Sequence, residues 1–296
     1  MILRLPHITN FLGHYIDQGY TKSADLHYGV SRLILSNKLG EEWCSKNVKP
    51  KTDFGKKEKG NRKFLQVDKT IKSRMTREYF EKVCRLAKLL INLQEVKGFE
   101  IVIDRIKKDS IQSNYAELQA ALFCITRGFD VEFTLPSFEK TKDFDLLINK
   151  NNLAIPCEVK SKNESEQYSL KSILNSITKA KKQLPKDKIG IIFIRLSKKW
   201  IHESDFKEII THAFNSERVG SICLSWDEII TPHDELALTY TSFLAEIKKD
   251  IPADISKTFT ELFKKEASYH PFNIQKLIEG FQVNCNLGGI TKYKKN

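Results

Sequence analysis

The order of apolar patterns between residues 113 and 224 is the feature that most constrains the fold. Apolar residues there recur first at helical spacing, then in three short runs, and then in strands that alternate with helical segments. The apolar run IGIIFIRL at 189–196 predicts a central strand that is buried on both faces. This order predicts an α/β fold with a central mixed β-sheet flanked by helices.

The limits of the elements follow from where each pattern begins and ends. An N-cap at Ser113 or Asn114 is expected to open a helix over 116–126, and Gly128 is expected to close it. Two more helices are expected at 168–184 and 206–214. The strands are expected at 130–135, 143–148, 153–159, 189–196 and 219–224. A turn at 149–152 is expected to join the second and third strands as an antiparallel hairpin.

The regions on both sides of this segment are expected to be mainly helical. Apolar residues recur at helical spacing over 76–93, and helices are expected at 240–249 and 255–265 as well. Residues 99–107 also fit a helix by spacing, whereas their β-branched side chains favour a strand; we expect a helix. We therefore expect a mainly helical region at 1–108 with a basic loop at 46–74, a core at 109–226, and a helical region at 227–296.

The loop at 46–74 carries most of the net positive charge. It has 11 basic and 3 acidic residues, a difference of +8, whereas the whole chain of 296 residues carries +12. A basic excess favours polyanionic partners, above all nucleic acid, because each Lys or Arg near a phosphate strengthens binding. The loop therefore predicts contact with a phosphate backbone, and a solvated flexible loop is the alternative.

Several functions are disfavoured because their motifs are missing from the sequence. The six cysteines form no CxxC pair and the seven histidines form no HExxH motif, so zinc and redox sites are not indicated. Scattered cysteines are typical of a reduced, cytoplasmic protein. No apolar run approaches the roughly 18 residues that a membrane span needs, so no membrane association is expected.

The expected hairpin carries charged residues that should lie close together. Glu158 and Lys160 are two residues apart on one strand, so both side chains point to the same face. Asp145 lies on the preceding strand, and antiparallel pairing around the turn brings it near Glu158. Asp143 points the same way one step further along and is the rival to Asp145.

Neighbouring carboxylates in an apolar sheet indicate a cation. They repel each other, and their burial is costly unless a cation or a proton compensates. Mg²⁺ prefers oxygen ligands and also accepts phosphate oxygens, so Asp145 and Glu158 are candidate metal ligands. Lys160 is a candidate to hold or deprotonate an attacking water, or to stabilise charge in the transition state. Glu117 is a third candidate ligand, or interacts only with the dipole of its helix.

The Glu-x-Lys tripeptide alone is a weak signal, because it occurs three times in this chain. The copies at 95–97 and 246–248 are expected on amphipathic helices, where such pairs are ordinary surface charges. Only the copy at 158–160 closes an apolar strand after a hairpin that carries an Asp. The context, rather than the tripeptide, therefore indicates a site.

Residues 113–196 resemble the common core of the PD-(D/E)xK nuclease superfamily, which has the restriction-endonuclease-like fold. Asp145 and the run from Glu158 to Lys160 match its motif, and Glu117 takes the position of an acidic residue on the first core helix. The segment departs from the motif where Phe144, rather than Pro, precedes Asp145.

The resemblance implies roles for these residues and adds one more. In such enzymes the Asp and the Glu bind Mg²⁺, for which Mn²⁺ can substitute, and the Lys assists the water. Gln183, three residues after Ala180, is similar to a polar position that some branches use near the scissile phosphate. The resemblance thus implies a Mg²⁺-dependent deoxyribonuclease, in particular an endonuclease, with a role in restriction or antiviral defence.

Two other classes of function remain open. One is a non-catalytic nucleic-acid-binding module on the same fold. The other is a structural or partner-binding protein in which Lys160 and Glu158 form only a buried ion pair. For the nuclease, a homodimer or a partner subunit is compatible with the sequence, because enzymes that cut both strands often need two active sites.

Overall fold

A computed structural model of the chain describes residues 2–20, 23–48, 74–108, 111–135, 143–162, 167–202, 205–230, 238–264, 271–274 and 276–278. The described residues divide into two compact units. One unit is formed by residues up to Asn92 together with those from Pro271 onward, and the other by residues from Leu93 to Lys264. Residues 49–73, which are most of the predicted basic loop, lie outside the described residues.

The first unit is helical. Its elements are α1 (Leu5–Asp17), α2 (Ser23–Leu39), α3 (Glu41–Asn47) and α4 (Arg74–Leu93) up to Asn92. The rings of Tyr28 on α2 and Phe80 on α4 pack with their centres 4.4 Å apart. The Asn92 side chain exchanges two hydrogen bonds with the backbone of Phe272, which fixes the segment at 271–274 to α4. The helix predicted at 76–93 is thus confirmed.

The second unit contains a sheet and the remaining helices. Its strands are β1 (Asp130–Phe133), β2 (Leu146–Lys150), β3 (Leu153–Ser161), β4 (Gly190–Arg195), β5 (Val219–Ile230) and β6 (Leu238–Ile247). Its helices are α5 (Phe99–Lys108), α6 (Ile111–Ile125), α7 (Leu170–Gln183), α8 (Lys198–Ile201), α9 (Phe206–Phe214) and α10 (Ala253–Lys264). None of the helices in the described part of the chain is both long and apolar enough to cross a membrane.

The six strands form one mixed sheet in the order β1-β2-β3-β4-β5-β6. The two inner pairs, β3 with β4 and β4 with β5, are parallel, and the outer pairs are antiparallel. Every residue of β4 is buried, as expected for a central strand of continuous apolar sequence. The predicted α/β fold with a central mixed sheet is therefore confirmed at this level.

A two-residue turn closes the hairpin of β2 and β3. The last pair of the ladder is Lys150 with Leu153, and the residues between them, Asn151 and Asn152, have φ angles of 49° and 66°. Two successive residues in the left-handed region match the turn that follows the natural twist of a hairpin, and Asn tolerates this region well. The predicted turn is confirmed at 151–152 but is shorter than expected, because Asn149 and Lys150 belong to β2. The turn fixes the register that carries the charged residues.

Helices cover both faces of the sheet. On one face, Ile192 and Ile194 of β4 form an apolar core with Ile173 and Ile177 of α7. Register pairs Glu158 with Ile192 and Lys160 with Ile194, so both charged residues share the face that α7 covers. On the opposite face, the ring of Phe123 on α6 packs against the ring of Phe193 on β4, with the ring centres 6.1 Å apart.

Helix α6 does not begin where we expected. The predicted N-cap at Ser113 or Asn114 is wrong, because α6 begins at Ile111 and already buries the Ile111 and Asn114 side chains in its first turn. Burial of these side chains carries the helix past the local capping signal. Its other end is as predicted: Gly128 has a φ of 78°, and the Phe129 N–H bonds back to the Cys124 carbonyl at 3.2 Å.

The helix predicted at 240–249 is also wrong, because residues 240–247 belong to β6 and pair with a long β5. Phe243, Leu244 and Ile247 are spaced for one helix face, but the surrounding TYTSFLAEI is rich in residues that favour strands. The partner strand therefore decides the structure. Of the two other Glu-x-Lys copies, one ends β6 and the other lies between α4 and α5, so neither is on a helix as expected.

Candidate functional site

Lys160 is the centre of a hydrogen-bond network between the hairpin and α7. Its ammonium group donates to Oε1 of Glu158 and, at 2.8 Å, to Oε1 of Gln183. The Gln183 amide nitrogen donates in turn to the backbone carbonyl of Asp143 at 3.0 Å. The structure thus brings together three of the five residues singled out from the sequence.

Glu158 is completely buried, with 0% of its surface exposed. Its Oε1 accepts the bond from Lys160, but its Oε2 accepts no hydrogen bond from any described residue. Burial raises the pKa of Glu158 well above its usual range, and the charge of Asp145 acts in the same direction. A buried carboxylate oxygen without a donor is costly, so this position favours a bound proton or cation.

Asp145 lies immediately before β2, level with Glu158 on β3. Its Oδ2 accepts a hydrogen bond of 2.8 Å from the Val159 N–H, and its own N–H donates to the Cys157 carbonyl at 3.0 Å. Burial raises the pKa of Asp145, while the charge of Lys160 opposes the shift. The structure therefore directs the carboxylate of Asp145 to this point, whereas Asp143 contributes a backbone carbonyl to Gln183.

The carboxyl groups of Asp145 and Glu158 are near enough for the charge of Asp145 to raise the pKa of Glu158. Two ionised carboxylates can only accept hydrogen bonds, so neither can satisfy the other unless one of them is protonated. A proton or a positive ion between them would relieve the repulsion. The antiparallel pairing expected to bring these two residues together is thus present.

Glu117 approaches the candidate site from α6, which lies on the other side of the sheet from α7. Only 6% of its surface is exposed, and its Oε2 forms an ion pair with the guanidinium of Arg105 on α5. Burial, and then the charge of Asp145, raise the pKa of Glu117 to about 8, against the opposing charges of Arg105 and Lys160. Glu117 is the seventh residue of α6, beyond the first turn in which a helix dipole acts, so its position has another cause.

The carboxylates do not form a ready-made metal cage. Within the described ranges, no three His, Cys, Asp or Glu side chains are grouped closely enough to hold a metal ion as they stand. Glu117 and Glu158 are instead turned to the cations Arg105 and Lys160. The donor set nevertheless fits a hard divalent ion, because it consists of carboxylates that are partly or fully withdrawn from water, and one oxygen of Glu158 has no donor among the described residues.

Arg105 is a residue of this site that the sequence patterns did not single out. Its apolar neighbours Val102, Ile103 and Ile106 mark the buried face of α5, and Arg105 is adjacent to that face. The sequence feature that could have indicated Arg105 is a positively charged residue at the border of a buried helix face. The sequence did not indicate its partner, because Arg105 and Glu117 lie on different helices.

Lys162 is a second residue that we did not predict. It continues the alternation of Glu158 and Lys160 by one more step, and it is buried. Its ammonium group donates to the Ser172 carbonyl at 2.6 Å, to the Ser172 hydroxyl at 2.9 Å and to the Ser176 hydroxyl at 2.5 Å. Lys162 thus fastens the first turns of α7 to the end of β3.

A comparison of the chain with protein-family models, curated proteins and solved structures finds no match. The geometry of the site is therefore the basis for any conclusion about function.

Proposed function

We propose that this protein is a divalent-metal-dependent nuclease that hydrolyses phosphodiester bonds, with DNA as its substrate. The observation that carries the proposal is the fully buried Glu158, one oxygen of which has no donor among the described residues, with the partly buried Asp145 and the ammonium group of Lys160 beside it. Neighbouring carboxylates withdrawn from water are costly to maintain for stability alone. The same pair becomes favourable when a cation binds to it.

Asp145 and Glu158 are the residues that would hold Mg²⁺ or Mn²⁺, with Glu117 as a third ligand. When bound, the ion supplies Lewis-acid polarisation of a phosphate oxygen and lowers the pKa of a bound water. Its positive charge would also offset the burial that now raises the pKa of the carboxyl groups. The donor set and the electrostatics therefore agree with a metal centre.

Lys160 has two tasks in the proposed reaction. A water oxygen attacks the phosphorus, the bond from phosphorus to the leaving oxygen breaks, and a proton from the water is transferred in net terms to that oxygen. The Lys160 ammonium orients the water and stabilises the negative charge that develops on the phosphate. Gln183 holds Lys160 in position through its bond of 2.8 Å, and it is itself held by the Asp143 carbonyl.

Two further features support a nuclease. The succession α6, β1, β2, β3, α7 and β4 has the element order of the restriction-endonuclease-like core that the sequence resembles. The net charge of +12 favours a polyanionic substrate. A cytoplasmic enzyme of restriction or antiviral defence, acting as a homodimer or with a partner subunit, is the setting that we propose for this activity.

The decisive experiment measures cleavage of plasmid DNA with Mg²⁺, with Mn²⁺ and with a chelator. We expect cleavage by the wild type only when metal is present, and none by Lys160→Ala. Lys182→Ala is the matched control, because Lys182 is an exposed lysine on α7. Equal trace activity of the wild type and Lys160→Ala would contradict the proposal.

A non-catalytic nucleic-acid-binding module is the second candidate. The observation that favours it is that Glu158 and Glu117 already have cationic partners, as in a purely structural network. Such a module would bind DNA with a strong dependence on salt and without turnover, and Mg²⁺ would not change its melting temperature. Measuring fluorescence anisotropy and thermal unfolding with and without Mg²⁺ separates the two candidates.

A further inference from the structure

Arg105 is a charged residue of the candidate site that the proposed reaction does not use. It lies in the last turn of α5, beside the buried residues Ile103 and Ile106. The entry to α5 is also fixed, because the Lys97 carbonyl accepts a hydrogen bond of 2.9 Å from the N–H of Phe133 on β1. The guanidinium is therefore presented from a well-anchored helix.

Most hydrogen-bond donors of Arg105 are not used within the described part of the chain. One amino group bonds to Oε2 of Glu117, while the buried Nε–H has no hydrogen-bond partner among the described residues. The side chain as a whole is 26% exposed, so part of it is open to solvent although Nε is buried. A guanidinium has five donors in a planar fork, and this fork matches two oxygens of a phosphate group.

Arg105 brings positive charge to the carboxylates from α5, whereas Lys160 does so from β3. Arg105 forms an ion pair with Glu117, and Lys160 forms one with Glu158. Two cations on different elements are thus paired with two carboxylates of the candidate site.

We propose that Arg105 binds a non-bridging oxygen of the phosphate that is cleaved, while it keeps its ion pair with Glu117. This inference rests on the proposed nuclease function and adds the residue that recognises the reacting phosphate. Lys107 and Lys108 are exposed in the same turn of α5 and extend the positive surface along the substrate backbone. The ligand class is therefore a nucleic-acid phosphodiester.

The test uses duplex oligonucleotides with one mapped cleavage position, in which single phosphates are replaced in turn by uncharged methylphosphonate. Binding is measured in Ca²⁺, and cleavage of the unmodified duplex is measured in Mg²⁺. At the phosphate that is cleaved, the replacement should weaken wild-type binding by at least about 10-fold. Arg105→Gln should bind unmodified DNA more weakly than the wild type and should lose less binding from the replacement at that phosphate, because its own contact is already absent.

Two further variants make the result specific. Arg105→Lys keeps a positive charge beside Glu117 but lacks the planar set of donors, so it should fold normally. It should lose less binding than the wild type when methylphosphonate replaces that phosphate. Lys97→Gln is the control, because Lys97 is exposed and paired with Glu132, and it should respond like the wild type.

The outcomes separate this inference from the proposed function. If the wild type cleaves DNA but Arg105→Gln and Arg105→Lys are as sensitive to every replacement as the wild type, Arg105 only holds Glu117 and the inference is wrong. If the wild type does not cleave DNA with any metal, the proposed function fails and this inference fails with it.

Discussion

The carboxylate of Asp145 accepts a hydrogen bond of 2.8 Å from the backbone N–H of Val159. Val159 lies between Glu158 and Lys160, so this bond fixes the carboxylate beside the two residues with which it would act. An Asn at position 145 can accept the same hydrogen bond but carries no charge. The substitution Asp145→Asn therefore separates the structural task of this residue from its chemical task.

We expect Asp145→Asn to keep the fold and to lower metal-dependent cleavage by on the order of 100-fold or more, because a metal ligand loses its charge. The measurements are the cleavage rate at saturating Mg²⁺ and the melting temperature without metal. Asp143→Asn is the control, because the Asp143 contact to Gln183 is made by the backbone carbonyl. The opposite ranking of the two variants would identify Asp143 as the ligand.

The raised pKa of Glu117 predicts how stability depends on pH. The pKa is about 8 in the folded protein and 4.5 for an ordinary Glu, so between these values the folded state binds more protons than the unfolded state. The contribution of Glu117 is therefore fully present below about pH 4.5 and is lost as the pH rises through about 8. Glu117→Gln does not titrate and lacks this loss.

Urea unfolding of both proteins from pH 5 to 8.5, without divalent metal, tests this prediction. The free energy of unfolding of the wild type minus that of Glu117→Gln should fall as the pH rises. Glu100→Gln removes an exposed carboxylate of α5 and controls for the loss of one negative charge. If this difference in the free energy of unfolding is constant or rises with pH, the raised pKa of Glu117 is contradicted.

Local sequence patterns predict those helices and strands whose pattern allows only one type of structure. The strand β4 and the helix α9 were expected within a residue or two, because continuous apolar sequence and an amphipathic repeat each allow one structure. The strand β6 was missed because its apolar spacing fits a helix as well as a strand. Only pairing with β5, a separate strand whose contacts spacing within β6 does not reveal, decides between the two.

The residues of the candidate site also include some that the sequence could place and some that it could not. Glu158 and Lys160 could be placed together because alternation along one strand is a local property, and Asp145 joined them through a two-residue turn. The pairing of Arg105 with Glu117 could not be predicted, because spacing does not tell which two helices pack against each other. The sequence therefore predicts what lies on one hairpin better than what approaches it from outside.

Lys162 is expected to contribute to stability rather than to chemistry. Replacing it with Met keeps most of its volume but removes the three hydrogen bonds that its ammonium group donates to Ser172 and Ser176. Relief from burying a charge offsets part of this loss, so we expect the free energy of unfolding to fall by about 1–3 kcal/mol.

Urea denaturation measures the effect of Lys162→Met. Lys171→Met is the matched control on α7, where Lys171 is exposed, and it should change the free energy of unfolding by less than about 0.5 kcal/mol. Equal effects of the two substitutions would show that the three bonds of Lys162 contribute nothing.

The turn between β2 and β3 gives the last prediction. Asn152 has a φ of 66° and an exposed side chain, so a substitution there changes the backbone preference and little else. Val is disfavoured in this region by its branched side chain, whereas Gly adopts it freely and follows Asn in the preferred form of this turn. We expect Asn152→Val to lower the free energy of unfolding by about 1–2 kcal/mol and Asn152→Gly to leave it unchanged or higher. Chemical denaturation of the two variants compares them directly, and equal stability would contradict the claim that the left-handed backbone at position 152 matters for the stability of the hairpin.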